Sequence, residues 1–177
     1  NNLFRYDPTN WTGSKMILFV GTLSVTMNLQ ALDWFVSNVW PAIKSAAPDT
    51  VFVVAGRDPS TELVSRLRSK GIDVVANAPS LRDLYGAAMC AIVPALSGSG
   101  AKIKVAEALS FGVPVITTTH GVVGQPAAIK ACCIVRDDAA GWIESILAQA
   151  AYERRSTEKW DLKARTALEA SYFGSSI

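Results

Sequence analysis

The sequence predicts an α/β fold: a Rossmann-like, doubly wound parallel sheet of about six strands with helices on both faces. Three observations predict it. Short, continuously apolar runs at 16–21 (MILFVG), 51–55 (VFVVA) and 88–93 (AMCAIV) are what strands look like when neither face meets water. Between them lie longer stretches whose apolar residues recur at helical spacing. The two patterns alternate repeatedly through short connections, the signature of a parallel sheet covered on both sides.

Residues 1–14, with Asp7, Pro8, Asn10, Thr12 and Gly13, are turn-rich and aperiodic and read as a linker or leading segment. After the strand at 16–21, Asn28 reads as the N-cap of an amphipathic helix carrying Leu29, Leu32, Phe35, Val36, Val39 and Trp40, with Pro41 near its last turns. The strand at 51–55 runs into the loop Gly56, Arg57, Asp58, Pro59. Ser60 then caps a helix through Leu63 and Leu67 that stops at Gly71, a residue suited to the left-handed position past a helix end. A third strand at 72–75 is followed by a loop at 76–79 and a short helix to about residue 87, for which Ser80 and Asp83 resemble a capping box. The strand at 88–93 leads to the turn Ser97, Gly98, Ser99, Gly100, then a helix to about Phe111, Gly112 and a strand at 113–117. A sixth strand is read at 132–135, and Asp137 and Asp138 mark a helix start rather than a metal site, since no third ligand is near. Helical patterns follow at 139–154 and 157–170. The boundaries are a leading segment over 1–14, a Rossmann-like unit over 15–136, and C-terminal helices of the same domain over 137–177.

In folds of this class, ligands bind outside the carboxyl ends of the strands, where the strand order reverses. The loops there span 22–27, 56–59, 76–79, 94–100 and 118–124.

A length of 177 residues supports one substantial core, and a chain that is 50% hydrophobic is globular rather than disordered. The 17 Lys and Arg against 15 Asp and Glu leave a net charge of +2, scattered along the chain, so no nucleic-acid partner is expected. No apolar run reaches the roughly 18–20 residues of a membrane span, and the first ten residues lack a signal pattern. A first residue other than Met suggests a piece of a longer protein. Cys90, Cys132 and Cys133 show neither a disulfide framework nor a zinc spacing, and read as reduced thiols of a cytoplasmic protein. Trp34, Trp40, Trp142 and Trp160 read as core or interface packing, and Arg154, Arg155 and Lys159 as a solvated face.

The chemistry concentrates in 94–118. Glycines let the backbone approach a ligand, and the free N–H groups at a helix start suit an anion, so a phosphate-bearing ligand is expected. At about 100° per residue, Gly100, Lys104 and Glu107 share one arc of a helix otherwise made of Ile103, Val105, Ala106, Ala108 and Leu109. Charges on a mostly buried helix need partners. One reading pairs Lys104 with Glu107; the other sets Lys104 on a phosphate and Glu107 on sugar hydroxyls. Lys102 falls on the apolar side and reads as a snorkelling residue. His120, the lone histidine, is a catalytic or a structural loop residue, and Arg57 divides between phosphate contact and surface charge.

The run GSGAKIKVAEA from Gly98 to Ala108, followed by Gly112, Val113, Pro114 and Val115, resembles the donor-binding signature of GT-B glycosyltransferases, especially the family-4-like "glycosyl transferases group 1". Phe19, Val20 and Gly21 with Asn28, and Trp40 and Pro41 followed by Val53, Val54, Ala55 and Gly56, extend the similarity in consistent order. The resemblance implies the C-terminal half of a GT-B fold, which binds a UDP- or GDP-linked sugar donor against an N-terminal acceptor domain missing from this chain, with no metal and no further cofactor. By the same resemblance, Gly98, Ser99, Gly100 and Ala101 present backbone N–H groups to the diphosphate or sugar. Lys104 neutralises the leaving phosphate and Glu107 accepts from the ribose diol, as the two catalytic candidates. Val75 and Asn77 meet the base through the main chain, and Gly21 and Arg57 complete the donor site. Ser99 stands where many members have an acidic residue, and Thr22 and Met27 where many have Arg and Lys; Lys102, Lys104 and Arg57 are expected to compensate.

The implied activity is sugar transfer to a glycan or lipid in polysaccharide biosynthesis. The full enzyme would act in the cytoplasm with peripheral membrane association, and the isolated chain would bind nucleotide without turnover. The rivals are a degenerate domain kept for protein contacts and a nucleotide-sugar epimerase-like domain, whose catalytic carboxylates and histidines are not found here.

Overall fold

The structure is a computed structural model that describes residues 15–98 and 100–151. The leading segment, Ser99, Arg154, Arg155, Lys159, Trp160 and the helical pattern at 157–170 lie outside the described residues.

Six strands form one sheet: β1 (Lys15–Val20), β2 (Thr50–Gly56), β3 (Asp73–Ala76), β4 (Ala88–Val93), β5 (Val115–Thr117) and β6 (Cys133–Val135). Every neighbouring pair is parallel, in the order β3-β2-β1-β4-β5-β6. The chain winds outward from β1 to β3, returns to the middle and winds the other way, so β1 and β4 flank the switch point. The helices are α1 (Thr26–Asn38), α2 (Trp40–Ala46), α3 (Thr61–Arg68), α4 (Arg82–Ala87), α5 (Ile103–Ser110), α6 (Ala127–Lys130) and α7 (Ala139–Ala151).

Side chains alternate across each strand, and both sides of the central strands β1, β2 and β4 are buried. Ile17, Phe19, Phe52, Val54 and Ile92 join Phe35, Trp40, Leu67 and Trp142 under α1, α2, α3 and α7. Met16, Leu18, Val53, Ala91 and Val93 join Tyr85, Val105, Ala108 and Ile129 under α4, α5 and α6. This two-sided burial is the reason the strands read as unbroken apolar runs.

Several local expectations hold. Ser60 Oγ accepts from the Leu63 N–H at 3.2 Å, the N-cap of α3, and Gly71 has φ +69° past its end. Asp138 Oδ1 accepts from the Gly141 N–H at 2.9 Å and opens α7. Cys90 and Cys132 are buried and Cys133 half-buried, and none of the three is in a disulfide. Burial pushes the Cys90 and Cys133 thiols up to about 12.

Other expectations need correction. α1 starts at Thr26 behind Val25, so Asn28 lies inside the first turn, where its amide donates to the Thr22 carbonyl at 3.0 Å instead of capping the helix. The chain turns at Val39, and Pro41 sits in the first turn of a separate helix, where its missing N–H costs nothing. Ser80 Oγ accepts from the Arg82 N–H, but α4 begins at Arg82 behind Leu81, one residue too late for a Ser80 capping box. α5 begins only at Ile103, so Gly100 and Ala101 precede the helix. Among the described residues, no helix is long and apolar enough to cross a membrane.

Candidate functional site

The carboxyl ends of β1 and β4 open into a cleft of about 370 Å³ whose lining includes Phe19, Met27, Asn28, Gly98, Lys102 and Lys104. Lys104 belongs to the first turn of α5, on one side of the sheet, yet its ammonium reaches across the sheet top to the other side. Nζ donates to Asn28 Oδ1 at 2.9 Å and stands 5.4 Å from the centroid of the Phe19 ring. Both partners are neutral. Desolvation, helped by the nearby Lys102 charge, holds the Lys104 pKa down at about 8. A Cβ on Gly21 would come within 3.2 Å of both Lys104 Nζ and Asn28 Nδ2, so the bare glycine leaves room for this pair. Gly56 is tighter still: a Cβ there would strike the Gly21 carbonyl oxygen, which locks the first two loops together.

The glycine turn is pinned by side chains on either side of it, Lys102 in the cleft lining and His120 in the loop after β5. Gly98 and Gly100 have φ +98° and +85°, left-handed backbone that favours glycine. The Gly98 carbonyl accepts from Lys102 Nζ at 2.8 Å and from His120 Nε2 at 2.7 Å, and Lys102 Nζ also donates to the Gly100 carbonyl at 3.1 Å. Lys102 is thus a clamp on the turn rather than a snorkelling side chain. The helical wheel did not apply to it because the helix starts one residue later. Gln125 Nε2 donates to the Lys102 carbonyl at 2.9 Å. A Cβ on Gly124 would sit 2.8 Å from the Ala101 nitrogen, so this glycine lets the loop after β5 lie flat against the turn. His120 has the structural role.

Glu107 lies one helical turn beyond Lys104 on α5, half-buried and outside the lining of the cleft. The two do not pair. Glu107 Oε2 instead accepts from Tyr85 Oη at 3.1 Å. The tyrosine is 1% exposed and its ring stacks on Phe111 at 4.9 Å between centroids. Burial first, then the negative charge and hydrogen bond of Glu107, push the Tyr85 phenol above its usual range.

Toward β3, Val75 is buried, and Asn77 adopts φ +53° while its Oδ1 accepts from the Asp58 N–H at 3.2 Å. Arg57 is exposed, and its carbonyl accepts from the Leu23 N–H at 2.7 Å. The structure therefore places Gly98 and Lys104 in the lining of one cleft, with Gly21 against the Lys104–Asn28 pair and Gly100 and Ala101 on the approach to α5. Arg57, Val75 and Asn77 stand at the neighbouring strand ends, and Glu107 stands along the helix. Sequence reasoning missed Asn28 as the partner of Lys104, Tyr85 as the partner of Glu107, and Gly124 under the turn; only Gly124, a glycine in a strand-end loop, carried a local signal. Among the described residues, no group of three His, Cys, Asp or Glu is placed to hold a metal.

Comparisons with known proteins agree with this architecture. A sequence profile described as "Glycosyl transferases group 1" matches residues 14–151. An uncharacterised 44.6 kDa protein in the cps region of Klebsiella pneumoniae is 30% identical over 131 residues, which make up 68% of this chain and 33% of that protein. The chain thus spans about a third of the length of that relative. Among solved structures, TarM superposes with a TM-score of 0.67 at 11% identity, covering 93% of this chain and 33% of TarM. WaaG, a glycosyltransferase involved in lipopolysaccharide biosynthesis, superposes at 0.61 and 18% identity, covering 88% of this chain and 43% of its own. An O-GlcNAc transferase of Thermobaculum terrenum does so at 0.64 and 19%, with 90% and 32% covered. The chain belongs to the glycosyl transferases group 1 family and has the Rossmann-like fold of its GT-B glycosyltransferase neighbours.

Proposed function

We propose that this chain is the donor-binding domain of a glycosyltransferase that moves a sugar from a UDP- or GDP-linked donor to a glycan or lipid acceptor, with the acceptor side supplied by a further domain. The observation that carries this reading is Lys104: an ammonium half-buried at the sheet switch point, held by the neutral Asn28 amide and the Phe19 ring, with no carboxylate on it among the described residues. A desolvated cation without a counter-charge gains most from an anion. The diphosphate of a nucleotide sugar, seated between Lys104 and the approach to α5, supplies one. As the bond from the anomeric carbon to the diphosphate oxygen breaks, negative charge grows on that oxygen, and a cation already in place stabilises it without reorganisation. No metal is part of this proposal.

Glu107 is assigned to the ribose. Its Cα lies about 4.5 Å further along the helix axis than that of Lys104, a spacing that suits the step from phosphate to pentose. The strand-end loop holding Asn77 is assigned to the base. The cps-region relative and the lipopolysaccharide enzyme favour a surface-polysaccharide acceptor, and related folds named as UDP-forming favour uridine. We assign the enzyme to the cytoplasm with peripheral membrane association.

The test is calorimetric titration of the chain with UDP, GDP and ADP. Saturable binding of at least one, lost in Glu107→Ala, is the expected result. No heat from any of them at millimolar concentration would instead support a degenerate domain, the reading suggested by Thr22 and Met27 in place of basic residues.

A further inference from the structure

We propose that Tyr85 is a positioning residue that orients Glu107 and makes the site discriminate ribose from deoxyribose; the inference rests on the donor-site reading above. Glu107 has three rotatable side-chain bonds and is half-buried, so on its own it would sample several directions. Tyr85 removes that freedom. Its ring is 1% exposed, packed in the core beneath α4 and α5, and stacked on Phe111 with an interplanar angle of 12°. The hydroxyl therefore occupies one place, and it donates to Oε2.

The choice of a phenol has a chemical consequence. An arginine or lysine in that place would orient the carboxylate but also neutralise it. A neutral O–H donor orients Glu107 and leaves its negative charge available. Among the described residues Oε1 has no hydrogen-bond partner, so one oxygen is held by the protein and the other is presented as an acceptor for a sugar hydroxyl. A phenol is protonated across the neutral range in any case, and burial with the neighbouring Glu107 charge extends that into alkaline buffers. Tyr85 lies on α4, which follows the β3 loop, and so couples the segment assigned to the base with the residue assigned to the ribose.

A buried phenol needs some acceptor in any case, so stability alone would not separate positioning from simple satisfaction of the hydroxyl. The ratio of affinities for ribo- and 2′-deoxyribonucleoside diphosphates does. Wild type, Tyr85→Phe and Glu107→Gln are titrated with matched ribo and 2′-deoxyribo forms of UDP, GDP and ADP, and with inorganic pyrophosphate. Wild type is expected to prefer the ribo form. Tyr85→Phe, which keeps the ring stacked on Phe111, should lose about tenfold for the ribo form, little for the deoxy form, and nothing for pyrophosphate. Glu107→Gln should erase the preference, and adding Tyr85→Phe to it should cost little more. A wild-type preference unchanged by Tyr85→Phe, or no wild-type preference at all, overturns the role of Tyr85 while leaving nucleotide binding intact. Failure of wild type to bind any nucleoside diphosphate overturns the donor-site reading itself, and this inference with it. Should Tyr85→Phe prove too unstable to titrate, Phe111→Leu, which frees the ring but keeps the hydroxyl, is expected to narrow the same ratio, and a ratio unchanged there overturns the proposal.

Discussion

The two faces of the sheet are built from different materials. Under α1, α2, α3 and α7 the core is aromatic: Phe35 meets Phe52 edge-on at 5.0 Å, and Trp142 meets Trp34 and Phe35 at 5.8 Å. Under α4, α5 and α6 it is mostly small and aliphatic, with Ala55, Ala88, Ala91 and Ala108 among the valines and Tyr85 the one buried aromatic of the cluster among the described residues. Large rings bury the most apolar area per residue, so the first face carries a large share of the stability. Small residues let a helix lie close to a sheet, and α5 uses that proximity to send Lys104 over the top of the strands to Asn28. One face anchors the fold, and the other positions the chemistry.

That division can be broken by experiment. Trp142→Ala removes a fully buried ring from the anchoring face and is expected to cost roughly 3–5 kcal/mol, read from chemical denaturation. Nucleoside diphosphate affinity of the folded fraction should stay within about twofold, because the rings that Trp142 packs edge-on against, Trp34 and Phe35, lie outside the cleft lining. Affinity falling in step with stability would show that the two faces are one unit.

Lys104→Met does the opposite. It should weaken nucleoside diphosphate binding by roughly 10- to 100-fold, the loss of a charge-assisted hydrogen bond, while hardly changing affinity for the bare nucleoside. Stability at neutral pH should hold or rise, since a desolvated ammonium is gone. The sign of the pH dependence follows from the folded pKa of about 8 against an ordinary 10.5. Between those values the unfolded chain holds more protons than the folded one. Wild-type stability therefore gains as pH climbs through that window, and Lys104→Met lacks the gain. Anion affinity runs the other way and declines as pH passes about 8. Equal losses for nucleoside and diphosphate in Lys104→Met would remove Lys104 from the phosphate.

The smallest effect sharpens the contrast. Ser60→Ala deletes the cap of α3 on the anchoring face and should cost about 1 kcal/mol with no change in ligand affinity, measured by the same denaturation and titration.

The strands, the Ser60 cap, the Gly71 stop and the alternating α/β order were all readable without coordinates, as was the placing of Gly98 and Lys104 at a strand-to-helix turn. Each is a local matter, set by residues within a few positions of one another. The errors were also local, and came from misplaced helix starts. With α5 beginning at Ile103 rather than near Gly100, Lys102 left the wheel and became a clamp, and with α1 beginning at Thr26, Asn28 turned from a cap into a tether.

The amino-acid order by itself determined the fold class, the family and the two charged residues on one arc of α5, because periodicity and motif spacing are properties of neighbouring residues. Only the tertiary structure decided with whom each polar group bonds. Asn28 meets Lys104 across 76 positions, and Tyr85 meets Glu107 across 22. Those meetings depend on the jump from β3 back to β4, which sets β4 beside β1 and brings α5 over the cleft. Hydrogen bonds are short and directional, so partners this far apart in the chain are chosen by strand order and packing, and neither can be read along the chain.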